Sequence, residues 1–138
     1  MSVFDTIRIA ASGLTAERLR MDIAASNLAN AQTTRSQSNP AQPYQEEAVI
    51  FQAAQMGSEP AAVGVSAVAI VNPLRPNLRV YDPENPDSDQ QGFVSYPNVD
   101  VSSEMTDLMG AARSYQVNAT VAQAAKQQAL DALDLGKG

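Results

Sequence analysis

Most of the fold can be inferred from residues 3–31, whose sequence is VFDTIRIAASGLTAERLRMDIAASNLANA. Small and apolar residues recur there at alternating steps of four and three, a spacing typical of the contact line between two helices of a coiled coil. Only the charged Glu17 interrupts this line, which consists of Val3, Ile7, Ala10, Leu14, Glu17, Met21, Ala24, Leu28 and Ala31. The spacing predicts a long helix that packs against a second helix.

The same helix carries a second, largely apolar stripe on its opposite side, formed by Ile9, Ser12, Ala16, Leu19 and Ile23. Because residues two positions apart lie about 200° apart around a helix, one partner helix cannot cover both stripes. Leaving the second stripe in water would forfeit about 0.8 kcal/mol for each CH₂ group that stays exposed. We therefore expect further neighbours on this face, supplied by other chains.

A matching helix is predicted at the other end of the chain, with Ser102 as its N-cap. Its contact line also steps by three and four and is interrupted only by Lys126; it consists of Met105, Leu108, Ala112, Tyr115, Ala119, Ala122, Lys126, Ala129 and Leu133. At the first helix, Ser2 or Asp5 is expected to cap the N-terminus, and the helix should end near Asn30. Both predicted helices lack proline, which costs about 3 kcal/mol in a helix interior.

All eight prolines fall between residues 40 and 97. Within this region, residues 48–53, 63–71, 78–81 and 93–96 have the composition or alternation of short strands, which predicts either a small twisted sheet or two hairpins. The sequence thus predicts a mainly α fold with a small β-rich insert. Its parts are an N-terminal helix (1–31), a Pro-rich, acidic β-hairpin region (32–101) and a C-terminal helix (102–138), the two helices forming an antiparallel coiled-coil pair. A plain dimer that forms a four-helix bundle is the alternative architecture.

The composition excludes several classes of function. The chain has no His and no Cys, which removes the usual zinc ligands and the commonest general base. An acidic loop holds Asp82, Glu84, Asp87 and Asp89, but prolines interrupt it and it lacks the glycine and closing glutamate of a calcium loop. We expect a solvated turn there, and no metal, cofactor or small-molecule substrate.

The net charge of −6 argues against binding to nucleic acid or to an anionic membrane surface. Charged residues interrupt the N-terminal apolar residues well short of the roughly 20 that span a membrane, so no membrane insertion is expected. The first residues also lack the basic and apolar regions of a cleavable secretory signal. The expected partners are proteins.

Two short motifs lie near the ends of the chain. The N-terminal motif is Ala11-Ser-Gly-Leu14 followed by Ala25-Ser-Asn-Leu-Ala-Asn-Ala31, and the C-terminal motif combines Tyr96-Pro-Asn-Val-Asp100, Glu104-Met105 and Arg113-Ser-Tyr-Gln-Val-Asn118. Together these motifs resemble those of the bacterial flagellar basal-body rod and hook proteins. The size of the chain, with Val80-Tyr-Asp-Pro83 and Gln91-Gly-Phe-Val94, is most similar to the proximal rod members. Distal rod and hook members have a Thr-x-Gly-aromatic turn where this chain has Thr34-Arg35.

The resemblance implies a structural subunit of the proximal rod that transmits motor torque and encloses the export channel. It further implies uncleaved export through the flagellar type III apparatus and helical packing in the periplasm through the terminal helices. The implied partners are copies of the chain, other rod proteins, the MS-ring or rod-adaptor proteins and the export apparatus.

Two groups of residues are the candidate sites. From the contact lines we expect coiled-coil or inter-subunit packing by Ile7, Leu14, Met21, Leu28, Met105, Leu108, Ala112, Tyr115, Ala119 and Ala122. The family motif corresponds to Asn27, Leu28, Ala29, Asn30, Asn98, Glu104 and Arg113. We interpret Asn27 and Asn30 as residues that cap the helix and form hydrogen bonds between subunits.

Two other classes of protein fit these features less well. A secreted type III coiled-coil effector or an envelope adaptor would share the export and the helices, but it would lack the paired terminal motifs. An enzyme would have to use the central carboxylates, which have no His, Cys or glycine-rich phosphate loop beside them. No catalytic residue is therefore expected.

Overall fold

The computed structural model describes residues 2–36, 42–57 and 60–136. Two long helices occupy the ends of the chain, and four strands lie between them as two separate pairs. In chain order the elements are α1 (Val3–Ala29), β1 (Ala48–Gln55), β2 (Val63–Val71), β3 (Leu78–Tyr81), β4 (Phe93–Tyr96) and α2 (Val101–Leu135). The prediction of a mainly α fold with a small β insert is confirmed.

Both residues proposed to cap α1 take part in its N-terminal cap. The Ser2 hydroxyl accepts a hydrogen bond from the Phe4 N–H at 3.3 Å, and the Asp5 carboxylate accepts one from the Ser2 N–H at 2.9 Å. This reciprocal arrangement is a capping box, which satisfies amide groups that have no partner inside the helix. At the other end the helix stops at Ala29, and Asn30 follows as its C-cap.

The N-terminus of α2 differs from the prediction. Its N-cap is Asp100, whose carboxylate accepts hydrogen bonds from the N–H groups of Ser102 and Ser103 at 3.0 and 3.3 Å. The proposed cap, Ser102, therefore lies inside the helix. A carboxylate at this position satisfies two amide groups and also interacts favourably with the positive end of the helix dipole. The helix continues to Leu135, and residues 137–138 lie outside the described residues.

The two helices lie side by side and run in opposite directions. Gly13 of α1 faces Asn118 of α2, where an added Cβ atom would lie 2.6 Å from the Asn118 Nδ2 atom. Further along α1, Asn27 reaches Glu104 near the start of α2. α2 has 35 residues and α1 has 27. In this register the last turns of α2 therefore lie beyond the start of α1.

The central strands form two antiparallel hairpins, one of the two arrangements that the sequence left open. β1 pairs with β2 from Ala48↔Val71 to Gln55↔Val63, with an irregularity between Ile50 and Phe51. β3 pairs with β4 from Leu78↔Tyr96 to Tyr81↔Phe93. In the second hairpin Val94 is buried, and the rings of Tyr81 and Phe93 meet edge to face at 5.4 Å.

The first hairpin packs on the second stripe of α1. The Ser12 hydroxyl accepts a hydrogen bond from the Val65 N–H of β2 at 3.1 Å, and Ala16 and Ile23 of the same stripe are buried. Gly64 permits this close approach, because an added Cβ atom there would lie 2.4 Å from the Ser12 Oγ atom. The expectation that other chains cover this stripe is therefore wrong for most of its length. The chain covers it with its own β1–β2 hairpin.

The buried apolar interior is small and consists mainly of alanine. Its members among the described residues are Ala10, Ala16, Ile23, Ala24, Ala62, Val94, Ala111 and Ala125. Small side chains allow the helix backbones to approach each other closely, but each removes little apolar surface from water. The polar contacts between segments are therefore important for fixing their positions.

Candidate functional site

Asn27, from the N-terminal family motif, lies at the point where α1, α2 and residues 42–47 meet. The side chain is 1% exposed. Its Nδ2 atom donates to the Glu47 carbonyl at 2.8 Å and to the Glu104 carboxylate at 3.1 Å, while its Oδ1 atom accepts from the Tyr44 hydroxyl at 2.8 Å and from the Glu47 N–H at 2.9 Å. Both polar groups of the amide are thus fully used. Within one chain, Asn27 joins three segments that are distant in sequence.

Asn30 has a local role at the end of α1. Its Nδ2 atom donates to the Ser26 carbonyl at 2.9 Å, and its Oδ1 atom accepts from the Thr33 hydroxyl at 3.2 Å. The Thr33 carbonyl in turn accepts from the Tyr44 N–H at 3.1 Å. Asn30 therefore terminates the helix, as the sequence suggested, and connects it to the segment that leads to the first hairpin.

Glu104, from the C-terminal motif, is buried in the first turn of α2 with 8% of its surface exposed. Burial raises the pKa of its carboxyl group above the ordinary value, and the nearby Glu46 and Asp107 add to this shift, while the hydrogen bond from Asn27 opposes it. Burial also raises the pKa of the Tyr44 hydroxyl. The two family motifs therefore meet in a buried polar cluster.

The acidic loop after β3 contacts the chain that follows α1. Asp87 accepts a hydrogen bond from the Thr34 hydroxyl at 2.5 Å and forms an ion pair with Arg35. These contacts lower the pKa of Asp87, the Thr34 hydrogen bond most of all. Asp89 lies in the same turn, where it accepts from two backbone N–H groups and pairs with Arg79 at 2.6 Å. The expected solvated turn is thus also the place where the second hairpin docks on residues 34–35.

All the contact residues predicted on α1 are at least half-buried: Ile7, Leu14, Met21 and Leu28. On α2 the pattern is shifted. Leu108, Ala119 and Ala122 are half-buried, but Met105, Ala112 and Tyr115 are exposed. The buried residues of α2 are instead Glu104, Ala111 and Ala125. Each of them comes one residue before a member of the predicted contact line, namely Met105, Ala112 and Lys126.

The remaining motif residues lie at the surface or near it. Ala29 and Arg113 are exposed. Asn98 is half-buried and donates to the Pro76 carbonyl at 3.1 Å, so it holds the start of the C-terminal motif against the loop before β3. Inter-subunit packing by the candidate residues stays a prediction.

Sequence reasoning missed Tyr44 and Glu47, which complete the hydrogen bonds of Asn27. A signal for Tyr44 was present, because it is the only aromatic residue between Phe4 and Phe51. A tyrosine in a polar segment often packs its ring inward and gives its hydroxyl a partner. Glu47 acts through its backbone, so the identity of its side chain carried no information.

Among residues 2–36, 42–57 and 60–136, no group of three or more acidic side chains is arranged so that it could hold a metal ion. In the same part of the chain, neither helix combines the length and apolar character needed to cross a membrane.

Comparison with known protein families gives matches at both ends of the chain. A family model described as flagella basal body rod protein matches residues 7–36, which contain most of α1 and the segment held by Asp87. A second model, described as the C-terminal part of the flagellar basal body rod FlgEFG proteins, matches residues 90–135, which contain β4 and α2. The matched regions are the two that meet at Asn27 and Glu104.

Relatives match over nearly the whole chain. The flagellar basal-body rod protein FlgC of Escherichia coli O6:H1 is 40% identical, and the alignment covers 99% of this chain and all of the relative. FlgC of Bacillus subtilis is 39% identical with the same coverage, and FlgC of Borreliella burgdorferi is 33% identical over the full length of both chains. These proteins form a structural family and not a family of enzymes. The chain belongs to the FlgC family of flagellar basal-body rod proteins.

Proposed function

We propose that the chain assembles helically with copies of itself and with other rod proteins through its terminal helices, and that the resulting rod transmits motor torque and encloses the export channel. In this assembly the antiparallel α1–α2 pair acts as a coiled coil. The half-buried Ile7, Leu14, Met21 and Leu28 on α1, together with Leu108 and Ala122 on α2, support this pairing.

The observation that carries the assembly proposal is the apolar surface of α2. Nine large apolar side chains of this helix are exposed: Val101, Met105, Met109, Tyr115, Val117, Val121, Leu130, Leu133 and Leu135. Their exposed fractions range from 37% to 84%. Large exposed apolar surfaces on soluble proteins mark sites of interaction. Packing between neighbouring subunits would remove this surface from water.

The other proposed partners follow from the position of a proximal rod protein. They are the MS-ring or rod-adaptor proteins at the base of the rod and the type III export apparatus that delivers the subunit, uncleaved, to the periplasm. The proposal includes no catalysed reaction, cofactor, small-molecule substrate, nucleic-acid binding or membrane insertion. Membership of the rod family does not favour a secreted effector or an envelope adaptor.

A charge on the exposed face of α2 tests this proposal. Val117 is 56% exposed, so Val117→Asp should leave the melting temperature of the isolated chain nearly unchanged. In a strain that lacks the native gene, the variant should be made and exported but should fail to restore swimming, because rods cannot be completed. Swimming in soft agar and electron microscopy of basal bodies provide the measurement.

Gln123→Asp is the matched control, since it places the same charge at an exposed polar position of the same helix. This variant should restore motility. Complete basal bodies and normal swimming with Val117→Asp would overturn the assignment of this face to assembly.

A further inference from the structure

The carboxyl group of Glu104 is buried between the helices without a cation of its own. One of its oxygens accepts a hydrogen bond from Asn27 at 3.1 Å. Within the described ranges, no Lys or Arg forms an ion pair with it. Two arginines lie nearby, but Arg20 pairs with Asp107 at 2.6 Å and Arg75 pairs with Glu46 at 3.1 Å.

The surroundings of Glu104 contain more acidic than basic groups. Glu104 lines a cleft of about 400 Å³ to which each adjoining segment contributes charge. The charged residues of this cleft are Arg20 from α1, Glu46 and Glu47 from residues 42–47, Arg75 from the loop between β2 and β3, and Glu104 and Asp107 from α2. Four carboxylates therefore face two guanidinium groups, and each guanidinium is already paired. Ionised Glu104 faces an excess of negative charge in addition to its loss of water.

We propose that the junction of α1 and α2 is a proton-responsive joint, in which a neutral Glu104 stabilises the closed arrangement around Asn27 and an ionised Glu104 loosens it. A protonated carboxyl group can still accept the Asn27 hydrogen bond through its carbonyl oxygen. Protonation thus removes the buried charge and keeps the contact that joins the helices.

The direction of the pH dependence follows from the pKa of Glu104. Burial is the largest cause that raises this pKa above the ordinary value of 4.5, so the folded chain holds the proton more tightly than the unfolded chain. The contribution of neutral Glu104 to the free energy of unfolding is complete below pH 4.5. It is lost as the pH rises through the pKa of the folded state. Above the pKa of the folded state the joint therefore carries the cost of the buried charge.

Other carboxyl groups make the stability of the chain depend on pH in the opposite direction. Their effect must be distinguished from that of Glu104. Hydrogen bonds lower the pKa values of Asp5, Asp87 and Asp89 below 3.8, so their contributions are lost as the pH falls through the lowered values. The Glu104 effect is accordingly measured as the difference between a variant and the native chain at each pH.

Glu104→Gln in the full chain provides the test, because glutamine keeps the shape and the acceptor oxygen but cannot ionise. Melting followed by circular dichroism should show a variant that is more stable than the native chain by roughly 3 °C at pH 7. This difference should shrink towards zero at pH 4. Glu84→Gln is the control, since it makes the same change at an exposed position of a loop outside this cleft. It should give no gain at pH 7.

A second measurement does not require a variant to fold. Carboxyl ¹³C NMR of the native chain should give a titration midpoint for Glu104 above 4.5. A midpoint at or below this value would overturn the proposal. So would a melting difference between Glu104→Gln and the native chain that stays constant from pH 4 to pH 8.

Discussion

The two terminal helices have similar sequence patterns but very different surroundings. Each carries apolar residues on more than one face. On α1 the chain covers two faces, one with α2 and one with the β1–β2 hairpin, and the only exposed large apolar side chain is Phe4. On α2 the described residues cover only one face, and nine large apolar side chains are exposed.

This difference shows that two-faced helices need not have the same kind of partner. The second face of α1 is satisfied within the subunit, through contacts such as the hydrogen bond between Ser12 and Val65. The outer faces of α2 have no such cover from the described residues. In the proposed rod, α1 thus connects the parts of one subunit, and α2 offers the larger apolar surface to other subunits.

The largest expected effect tests which face of α2 is covered. Ala111 is 0% exposed and Ala112 is exposed, although the sequence pattern placed Ala112 in the contact line. Ala111→Asp would bury a charge between the helices and should lower the free energy of unfolding by about 4 kcal/mol. Urea unfolding of the isolated chain measures this change.

Ala112→Asp is the matched control, because it changes helix propensity by the same amount at the neighbouring position. It should cost about 1 kcal/mol or less in the isolated chain. A larger cost for Ala112→Asp would support the contact line predicted from the sequence, and equal costs would contradict the assignment of the covered face to the side of Ala111.

The next largest effect concerns the point where both helices meet. Asn27→Ala removes the partner of the Glu47 backbone, the Tyr44 hydroxyl and the Glu104 carboxylate, and it should cost about 3 kcal/mol because these groups stay buried. Asn30→Ala loses contacts only around the end of α1 and should cost about 1 kcal/mol. The measurement is again the free energy of unfolding in urea. Similar costs for the two asparagines would contradict the special role of Asn27.

The elements of this fold were largely predictable because their signals are local. Alternating residues located β2, strand-like composition located the other three strands, and the helical period with Ser2 and Asp5 located the start of α1. The contact face of α2 was less predictable. Alanine occurs on several sides of this helix, at positions such as 111, 112, 119 and 122, so neighbouring contact lines have almost the same apolar content.

The polar cluster could be predicted only in part. The motifs singled out Asn27 and Glu104, but the hydrogen bond between them joins residues that are 77 positions apart. A glutamate in the first turn of a helix usually lies at the surface near the helix dipole, so its burial follows only from the way the segments pack. The central strands were expected to pack on the helices, but not on the second stripe of α1, since Ser12 carried no sign of a partner in β2.

The smallest expected effect concerns the β1–β2 hairpin that covers the second stripe of α1. The Ser12 hydroxyl helps to hold this hairpin in place. Ser12→Ala removes the acceptor of the Val65 N–H, whereas Thr15→Ala removes a hydroxyl that donates only to the Ala11 carbonyl of its own helix. Both changes bring a similar gain in helix propensity, so the difference between the two variants isolates the contact with the hairpin. Ser12→Ala should be less stable than Thr15→Ala by about 1 kcal/mol.

Hydrogen exchange should also be faster at the Val65 amide in Ser12→Ala alone, since that amide loses its partner. Unchanged protection of Val65 in both variants would mean that apolar packing holds the hairpin on α1 without this hydrogen bond, and the difference between the helices would then rest on buried area alone.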